Sequence, residues 1–336
     1  MKQAIRRAGL AAFAAGALAF VASAPGQAQS SDPNAAPNPY KMQENWAQYP
    51  AGHAVGAAIK IQVDHSDGKS MWIFDRCGAN DCSNSSLPPL LKFDASGKFM
   101  QGIGAGKFNQ PHGLYVDREG NVYGADQIAK NGKGAVVIKF SPKGEVLMTL
   151  GQPGKEGAGP TSLSQPSAVA VAPNGDIYIA DGHGGKTNDR IVKYAKDGKF
   201  LLDWGRHGKA PGEIDTPHGI AVDSAGRVYV AERVNNRISI FDADGKFIAE
   251  WKQFGRPSDV VIDKNDMIYV ADSQSDQKTN PGFKQGIRIG SVKDGKVTAF
   301  IPAPEAGGAE GLGVDDAGNV YGGWTNKMFV RRFVKN

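Results

Sequence analysis

The sequence predicts an all-β protein assembled from repeated four-stranded units. One observation is a segment, clearest at residues 216–247, whose features recur along the chain with small changes. A second is that each copy alternates short apolar runs with turns rich in Asp, Asn and Gly, which is the pattern of β-hairpins. A third is that helical signals are almost absent. Together these observations favour a repeat architecture over separate mixed domains.

The repeat occurs six times. Five copies align without gaps, and they begin at His112, Ser167, His218, Ser258 and Glu310. A weaker copy begins at Ile59 and carries two extra residues in its turn. Copies start every 40 to 55 residues, which suits one propeller blade each.

Each copy encodes two hairpins. In the fourth, the first hairpin ends in the aromatic, aliphatic and acidic group Tyr229 to Glu232, and the second turns at Asp244 and Gly245. Six units of four antiparallel strands predict a six-bladed β-propeller around a central channel. A solenoid is the alternative, but the units are long for a β-helix and lack helical signals.

The last unit ends at its third strand, within residues 328–336. We therefore expect an N-terminal strand to close the ring by completing the last blade. Residues 44–58 are the expected source of that strand, with Trp46 and Tyr49 packing on blade faces.

The N-terminus predicts export. Residues 1–28 combine a basic start at Lys2, Arg6 and Arg7 with an apolar run and small residues suited to cleavage, as in a signal peptide. The paired arginines leave the Sec and twin-arginine routes both open. Residues 29–43 are expected to be a flexible leader and residues 44–336 the propeller, located in the periplasm or outside the cell.

Charge and hydropathy exclude two partner classes at this level. Removing Lys2, Arg6 and Arg7 lowers the formal net charge of +5 to +2, so we expect no nucleic-acid partner. No later stretch approaches the roughly 20 apolar residues that span a bilayer, so stable membrane insertion is not expected.

Two cysteines, Cys77 and Cys82, flank a four-residue segment. In an exported protein we expect them to form a local disulfide. A metal pair is the alternative, but no second cysteine pair or nearby histidine completes a tetrahedral set.

The residue that opens the first strand of each unit departs from the repeat in three alternate units. These residues are His112, His218 and Glu310, and in a sixfold ring they approach the channel axis from three sides. Two imidazoles and a carboxylate suit a divalent metal such as zinc. The alternative is that each histidine caps its strand with a hydrogen bond.

Arginine follows the second strand in two opposed units, as Arg76 and Arg233. We expect both guanidinium groups at the same rim, where they would hold a substrate carboxylate. The alternative pairs them with Asp75 or Glu232.

A longer loop in the third unit carries His183, which is a candidate general acid or base, or else a solvated loop residue. The remaining histidines, His53, His65 and His207, are interpreted as unassigned surface residues.

The repeated text resembles the NHL repeat family, whose units read PxGIAVDxxGxVYVADxxNxRI. Residues 216–238 match this pattern closely, and weaker similarity extends from Ile59 to Phe333. The resemblance implies a six-bladed propeller and no single activity.

The chain is also similar to the peptidyl-α-hydroxyglycine α-amidating lyases, which cleave a carbinolamide into a peptide amide and glyoxylate. Their channel zinc is held by three histidines beside two arginines and a tyrosine. The segments QPHGL and TPHGI carry two zinc ligands to His112 and His218, and FDR and AER carry the arginines to Arg76 and Arg233.

Two departures from that family are visible. Glu310 and Gly311 replace the third histidine and the following aspartate, so a structural calcium is not expected. His183 stands where the family has its tyrosine.

Two functions follow from these observations as hypotheses. One is an exported, metal-dependent lyase-like enzyme acting on a small anionic substrate or peptide. The other is a non-catalytic propeller that binds an anionic ligand or a peptide. A sugar-lactone hydrolase would need several channel carboxylates and amides, and only Glu310 offers one clearly.

Overall fold

Six antiparallel sheets of four strands each form the blades of a β-propeller, as predicted. The structure is a computed structural model that describes residues 32–185, 187–304 and 307–336. The predicted signal peptide, residues 1–28, lies outside these residues. Within the described part of the chain, no helix has the length and apolarity needed to cross a membrane.

Blades 1 to 3 follow one another along the chain, and in each the first strand is innermost. Their strands are β2 (Ala58–Val63), β3 (Met71–Asp75), β4 (Leu90–Phe93), β5 (Phe99–Ile103); β6 (Pro111–Val116), β7 (Val122–Asp126), β8 (Val136–Phe140), β9 (Val146–Gly151); and β10 (Pro166–Val171), β11 (Ile177–Asp181), β12 (Arg190–Tyr194), β13 (Phe200–Trp204).

Blades 4 to 6 continue in the same way, except that blade 6 takes its outer strand from the N-terminus. Their strands are β14 (Pro217–Val222), β15 (Val228–Glu232), β16 (Arg237–Phe241), β17 (Phe247–Trp251); β18 (Pro257–Ile262), β19 (Met267–Asp272), β20 (Gly286–Ser291), β21 (Val297–Pro302); and β22 (Gly311–Val314), β23 (Val320–Trp324), β24 (Phe329–Lys335), β1 (Tyr40–Gln43).

The ring is closed by an N-terminal strand, but not by residues 44–58. The strand β1 pairs antiparallel with β24, from Tyr40 opposite Lys335 to Gln43 opposite Arg332. The predicted start of the propeller at residue 44 is therefore wrong. An outer strand needs few buried side chains, and only Tyr40 is buried in β1, so its sequence pattern is weak. Trp46 and Tyr49 do pack on blade faces, and both contact Phe93.

In blades 1 to 5, a buried acidic residue at the end of the second strand holds the adjoining rim loops in place. Asp126 accepts hydrogen bonds from the backbone N–H groups of Asn109 and Gln110, and Glu232 accepts one from Asp215. The same position is fully buried in blades 1 to 5, as Asp75, Asp126, Asp181, Glu232 and Asp272. These carboxylates fix the loops that lead into the inner strands, because each one satisfies donors that would otherwise be buried without a partner.

The predicted disulfide between Cys77 and Cys82 is present. It closes the loop that follows β3, immediately after Arg76, at the rim of the channel.

Candidate metal centre

Two histidines enter the channel from bulges in the inner strands. In blade 4, Pro217 pairs with Glu232 and Gly219 with Ala231, so His218 falls where the register shifts. In blade 2, His112 lies in the corresponding irregularity between Pro111 and Leu114. A bulge bends its strand and redirects the bulged side chain, which is why both imidazoles reach the channel.

The glycine after each histidine allows the inner strands to approach closely. A Cβ atom on Gly113 would lie 2.5 Å from the Cα atom of Ala168, and one on Gly219 would lie 2.9 Å from the Cα atom of Asp259. Both distances are shorter than real Cβ contacts allow. The PHG motif therefore combines a channel-facing imidazole with close packing of its own strand against the next blade.

Backbone carbonyls of the neighbouring blade orient the two imidazoles. The Nδ1 atom of His112 lies 2.6 Å from the oxygen of Ser167, and that of His218 lies 2.6 Å from the oxygen of Ser258. Each histidine therefore does make a structural hydrogen bond through Nδ1, as the alternative interpretation proposed, but its acceptor lies in the neighbouring blade. However, Nδ1–H donation to a carbonyl leaves Nε2 as the free acceptor, which is the usual second contact of a metal-ligating histidine.

The structure places His183 beside these two histidines. Its ring centroid lies 4.7 Å from that of His112 and 4.9 Å from that of His218. One nitrogen from each of the three rings lies within 4.8 Å of the others. The loop after β11 therefore carries His183 inward to the channel, and the alternative of a solvated loop residue is wrong.

Burial leaves two of the imidazole nitrogens without a hydrogen-bond partner. Among the described residues, Nε2 of His183 and Nε2 of His218 are buried and make no hydrogen bond, although Nε2 of His218 lies 3.3 Å from Oε1 of Glu310. An unsatisfied buried polar atom is costly, and a cation is the partner that a cluster of nitrogen lone pairs accepts. Ligand atoms on one tetrahedral zinc lie roughly 3.3 Å apart, so a small inward movement of the rings would complete the site.

The pKa values of the three histidines are lowered, chiefly by burial. The pKa of His183 falls to about 2 because burial is reinforced by the charges of His218 and Arg233. The pKa of His112 lies well below its usual value, and that of His218 is lowered by burial and then by Arg233. The imidazoles are therefore neutral at neutral pH, which is the form that binds a metal.

Glu310 contacts only one of the three histidines and is held by other groups. Its Oε1 atom lies 3.3 Å from Nε2 of His218 and 3.3 Å from Nη1 of Arg233, and its other oxygen accepts a hydrogen bond from Thr325. Burial alone would raise the pKa of Glu310, but the contacts with His218, Thr325 and Arg233 lower it. Glu310 is therefore ionised, and it is not a member of the three-residue nitrogen cluster.

Arg76 lies at the same rim but is held by different partners. Its Nε donates to the oxygen of Pro111 at 3.0 Å, and its Nη1 donates to Oδ1 of Asn80 at 2.6 Å. Burial lowers its pKa to about 10, so it remains a cation. Because Asn80 belongs to the loop closed by the disulfide, that loop positions the guanidinium. The alternative partners Asp75 and Glu232 are wrong for both arginines.

A charged pair that the sequence comparison missed lies beneath the histidines. Nζ of Lys60 is 2.5 Å from Oδ2 of Asp259, and both residues line the channel cavity with His112, His218 and Glu310. The signal was available, because the second inner-strand residue is Gly or Ala in the other four blades. The ion pair therefore makes part of the cavity lining polar.

The histidines outside the repeat positions were interpreted as surface residues, and this holds only for His207. His53 is buried, with Nε2 3.6 Å from Oδ1 of Asp75. His65 packs against the ring of Tyr115.

The fold is a six-bladed β-propeller, and one stretch of its sequence is similar to the NHL repeat. Residues 215–241 match the NHL repeat family. The chain is 32% identical over 201 residues to human NHL repeat-containing protein 3, which covers 58% of this chain and 54% of that protein. The chain is therefore similar to NHL repeat proteins, and it spans about half the length of that relative.

The chain is also similar to amidating lyases. It is 38% identical over 116 residues to peptidyl-alpha-hydroxyglycine alpha-amidating lyase 1 of Drosophila melanogaster, covering 34% of this chain and 20% of that protein. A solved structure of streptogramin B lyase superposes with a TM-score of 0.57 at 17% identity, covering 88% of this chain and 98% of the other. The second similarity concerns the fold alone.

Proposed function

We propose that this protein is an exported, metal-dependent, lyase-like enzyme acting on a small carboxylate-bearing substrate in the propeller channel. The observation that carries the proposal is the cluster of three neutral imidazoles, in which Nε2 of His183 is buried without a hydrogen-bond partner and Nε2 of His218 lies 3.3 Å from Oε1 of Glu310. A substrate that resembles a peptidyl-hydroxyglycine is the first candidate, because the similarity to amidating lyases includes the segments around His112 and His218.

The residues proposed to hold the ion are His112, His183 and His218, and three imidazoles favour zinc. The proposal exchanges the roles that the sequence predicted for His183 and Glu310. His183, expected to move a proton, is proposed as the third ligand, and Glu310, expected as a ligand, lies beside the cluster. When bound, a zinc ion supplies Lewis acidity toward a substrate oxygen.

The remaining polar groups are proposed to bind the substrate and to move its proton. Arg76 is oriented by its hydrogen bonds to Asn80 and Pro111, which use Nη1 and Nε. The remaining guanidinium nitrogen, Nη2, is proposed to bind the substrate carboxylate. Cleaving a carbinolamide removes the hydroxyl proton and delivers a proton to the departing amide nitrogen. Glu310 is ionised and lies beside the cluster, so it is proposed to accept a hydrogen bond from the substrate hydroxyl and to direct its proton toward the departing nitrogen.

Arg233 is proposed to act mainly on Glu310. Their 3.3 Å contact keeps the carboxylate charged and fixes its direction. The two arginines therefore have different proposed roles. Arg76 binds the substrate carboxylate and Arg233 positions Glu310, whereas the sequence predicted that both would bind the carboxylate.

The proposal is tested by metal content and turnover measured together. Purified protein is expected to contain one more divalent ion per chain than the His112→Ala, His218→Ala double variant. Incubation with a peptidyl-α-hydroxyglycine should release peptide amide and glyoxylate, and a chelator should stop the release until zinc is restored. Failure of metal-replete, folded protein to cleave this substrate would reject the amidating-lyase proposal.

A second candidate is a non-catalytic propeller that binds an anionic ligand or peptide at the same rim. It rests on Arg76, a cation at the rim that is held in place by Pro111 and Asn80 and has no carboxylate among these hydrogen-bond partners. This candidate predicts that ligand binding survives metal removal and that Arg76→Ala abolishes it. The enzyme candidate predicts loss of turnover after metal removal.

A further inference from the structure

A second group of metal-binding side chains lies outside the channel, between blades 3 and 4. It comprises Asp189, His207 and Asp215. Asp189 ends the loop between β11 and β12, whereas His207 and Asp215 belong to the connection between β13 and β14. Two separate rim loops therefore bring an imidazole and two carboxylates together.

The ligand atoms of this group already converge. Nδ1 of His207 lies 2.8 Å from Oδ2 of Asp189 and 4.0 Å from Oδ1 of Asp215. One ligand atom from each residue lies within 4.8 Å of the other two. Ligand atoms around one tetrahedral zinc are roughly 3.3 Å apart, so little movement is needed for all three to bind the same ion.

The two carboxylates are largely buried, and Thr216 donates a hydrogen bond to each of them, from its backbone N–H to Asp189 and from its hydroxyl to Asp215. The Asp189 side chain is fully buried and that of Asp215 is 11% exposed, whereas the His207 ring is 62% exposed. Two neighbouring buried carboxylates repel each other, and one imidazole can neutralise at most one of them. A divalent ion would neutralise both, and the exposed imidazole gives it a path from solvent.

The equivalent loops between blades 2 and 3 show that the fold does not require these side chains. An isolated bridge pairs Glu156 with Leu163 there, as another pairs His207 with Ile214 here. In that blade Glu156 accepts a hydrogen bond from Ser164, the counterpart of Asp215.

The counterpart of Asp189 in the same comparison is Ala135, which likewise precedes the third strand of its blade at a positive φ. The same loop geometry is thus built with one carboxylate, one hydroxyl and one methyl group. The three ligand-type side chains between blades 3 and 4 are therefore an addition to the repeat.

We propose that Asp189, His207 and Asp215 form a second binding site for a divalent metal ion of the zinc class. One imidazole and two carboxylates are borderline ligands, which zinc accepts, and water would complete the coordination. The site shares no ligand with the three channel histidines, and its existence does not depend on the proposed lyase activity.

The position of this site links it mechanically to the channel. Asp189 ends the loop that carries His183, and Asp215 lies three residues before His218 on the way into β14. An ion bound by both residues fastens the His183 loop to the strand that holds His218. Binding at the outer site is therefore expected to raise the melting temperature even when the channel site has been removed.

The experiment counts zinc equivalents in metal-stripped protein by titration with Zn²⁺ against a chromophoric chelator. Wild type is expected to bind two equivalents. His207→Ala should bind one, and this variant keeps the fold because the His207 ring is mostly exposed. The double variant Asp189→Asn, Asp215→Asn should also bind one.

Two further variants complete the comparison. The His112→Ala, His218→Ala protein should bind one equivalent and still melt at a higher temperature when Zn²⁺ is added. Glu213→Gln is the matched control, because Glu213 is a carboxylate of the same connection that pairs with Arg206 instead of His207, and it should bind two.

The outcomes separate the two metal sites. If His207→Ala and wild type bind the same number of equivalents, and the channel double variant binds none, the outer site does not exist. If wild type binds a single equivalent that is lost in His207→Ala and kept in the channel double variant, the outer site stands and the proposed channel metal fails.

Discussion

The assignment of the third channel ligand gives the sharpest prediction, because His183 and Glu310 compete for it. His183→Ala removes an imidazole of the nitrogen cluster, whereas Glu310→Gln keeps the size of the side chain and its contact with Thr325. Zinc affinity is expected to fall by more than 100-fold in His183→Ala, which corresponds to about 2.7 kcal/mol.

Glu310→Gln is expected to cost less zinc affinity. Its carboxylate touches one ligand, His218, at 3.3 Å and is otherwise held by Arg233 and Thr325. Loss of such a supporting contact typically lowers metal affinity about 10- to 100-fold. The same variant leaves the largely buried Arg233 without its anion, so the free energy of unfolding should fall by roughly 1–3 kcal/mol.

The assay is competition for Zn²⁺ with a chromophoric chelator, carried out in the His207→Ala background so that only the channel site is counted. Thr325→Val is the control, since it removes a donor to Glu310 without touching a histidine. Wild-type affinity in His183→Ala together with lost binding in Glu310→Gln would refute the reasoning and restore Glu310 as the ligand.

Three further predictions concern stability. Replacing Cys77 and Cys82 by serine should lower the free energy of unfolding by about 2 kcal/mol in denaturant titrations, and an unchanged midpoint would show that the disulfide does not stabilise the fold. Burial raises the pKa of Asp126 to about 6, above roughly 3.9 in the unfolded chain, so the native state binds the extra proton and is favoured as pH falls from 7 to 5. The stability advantage of wild type over Asp126→Asn should grow over that range, and a constant difference would contradict the shift. Deleting residues 1–43, which removes Tyr40–Gln43, should lower the melting temperature by more than about 5 °C relative to deletion of residues 1–31, and equal melting would show that β1 contributes little.

The blades and two of the channel histidines could be predicted because the repeat supplies its own comparison. Residues required by the sheet recur in every copy, so His112 and His218 were distinguished by their absence from the other blades. The inner-strand bulge then places both of them in the channel. The position within the repeat was sufficient to predict that His112 and His218 face the channel, because the blades share the same backbone arrangement.

Side chains on loops could not be placed in this way. His183 lies on the loop between the second and third strands of blade 3. No other copy of the repeat shares the sequence of this loop, so the repeat gives no indication that it turns inward. The contact between Arg233 and Glu310 joins residues 77 positions apart, so it depends on how far two side chains reach across the channel. The strand β1 was missed because one buried tyrosine gives no alternating pattern.

The closing pair of strands also determines when the propeller can be completed. Tyr40–Gln43 is among the first parts of the described chain to be synthesised, yet its partner Phe329–Lys335 is the last. Every blade but the sixth can pair its own strands as the chain emerges, whereas the sixth must wait for both ends. Contacts of such large sequence separation form slowly. The channel, to which the blade after Glu310 contributes a wall, should therefore become competent to bind the proposed ion only in the final step of folding.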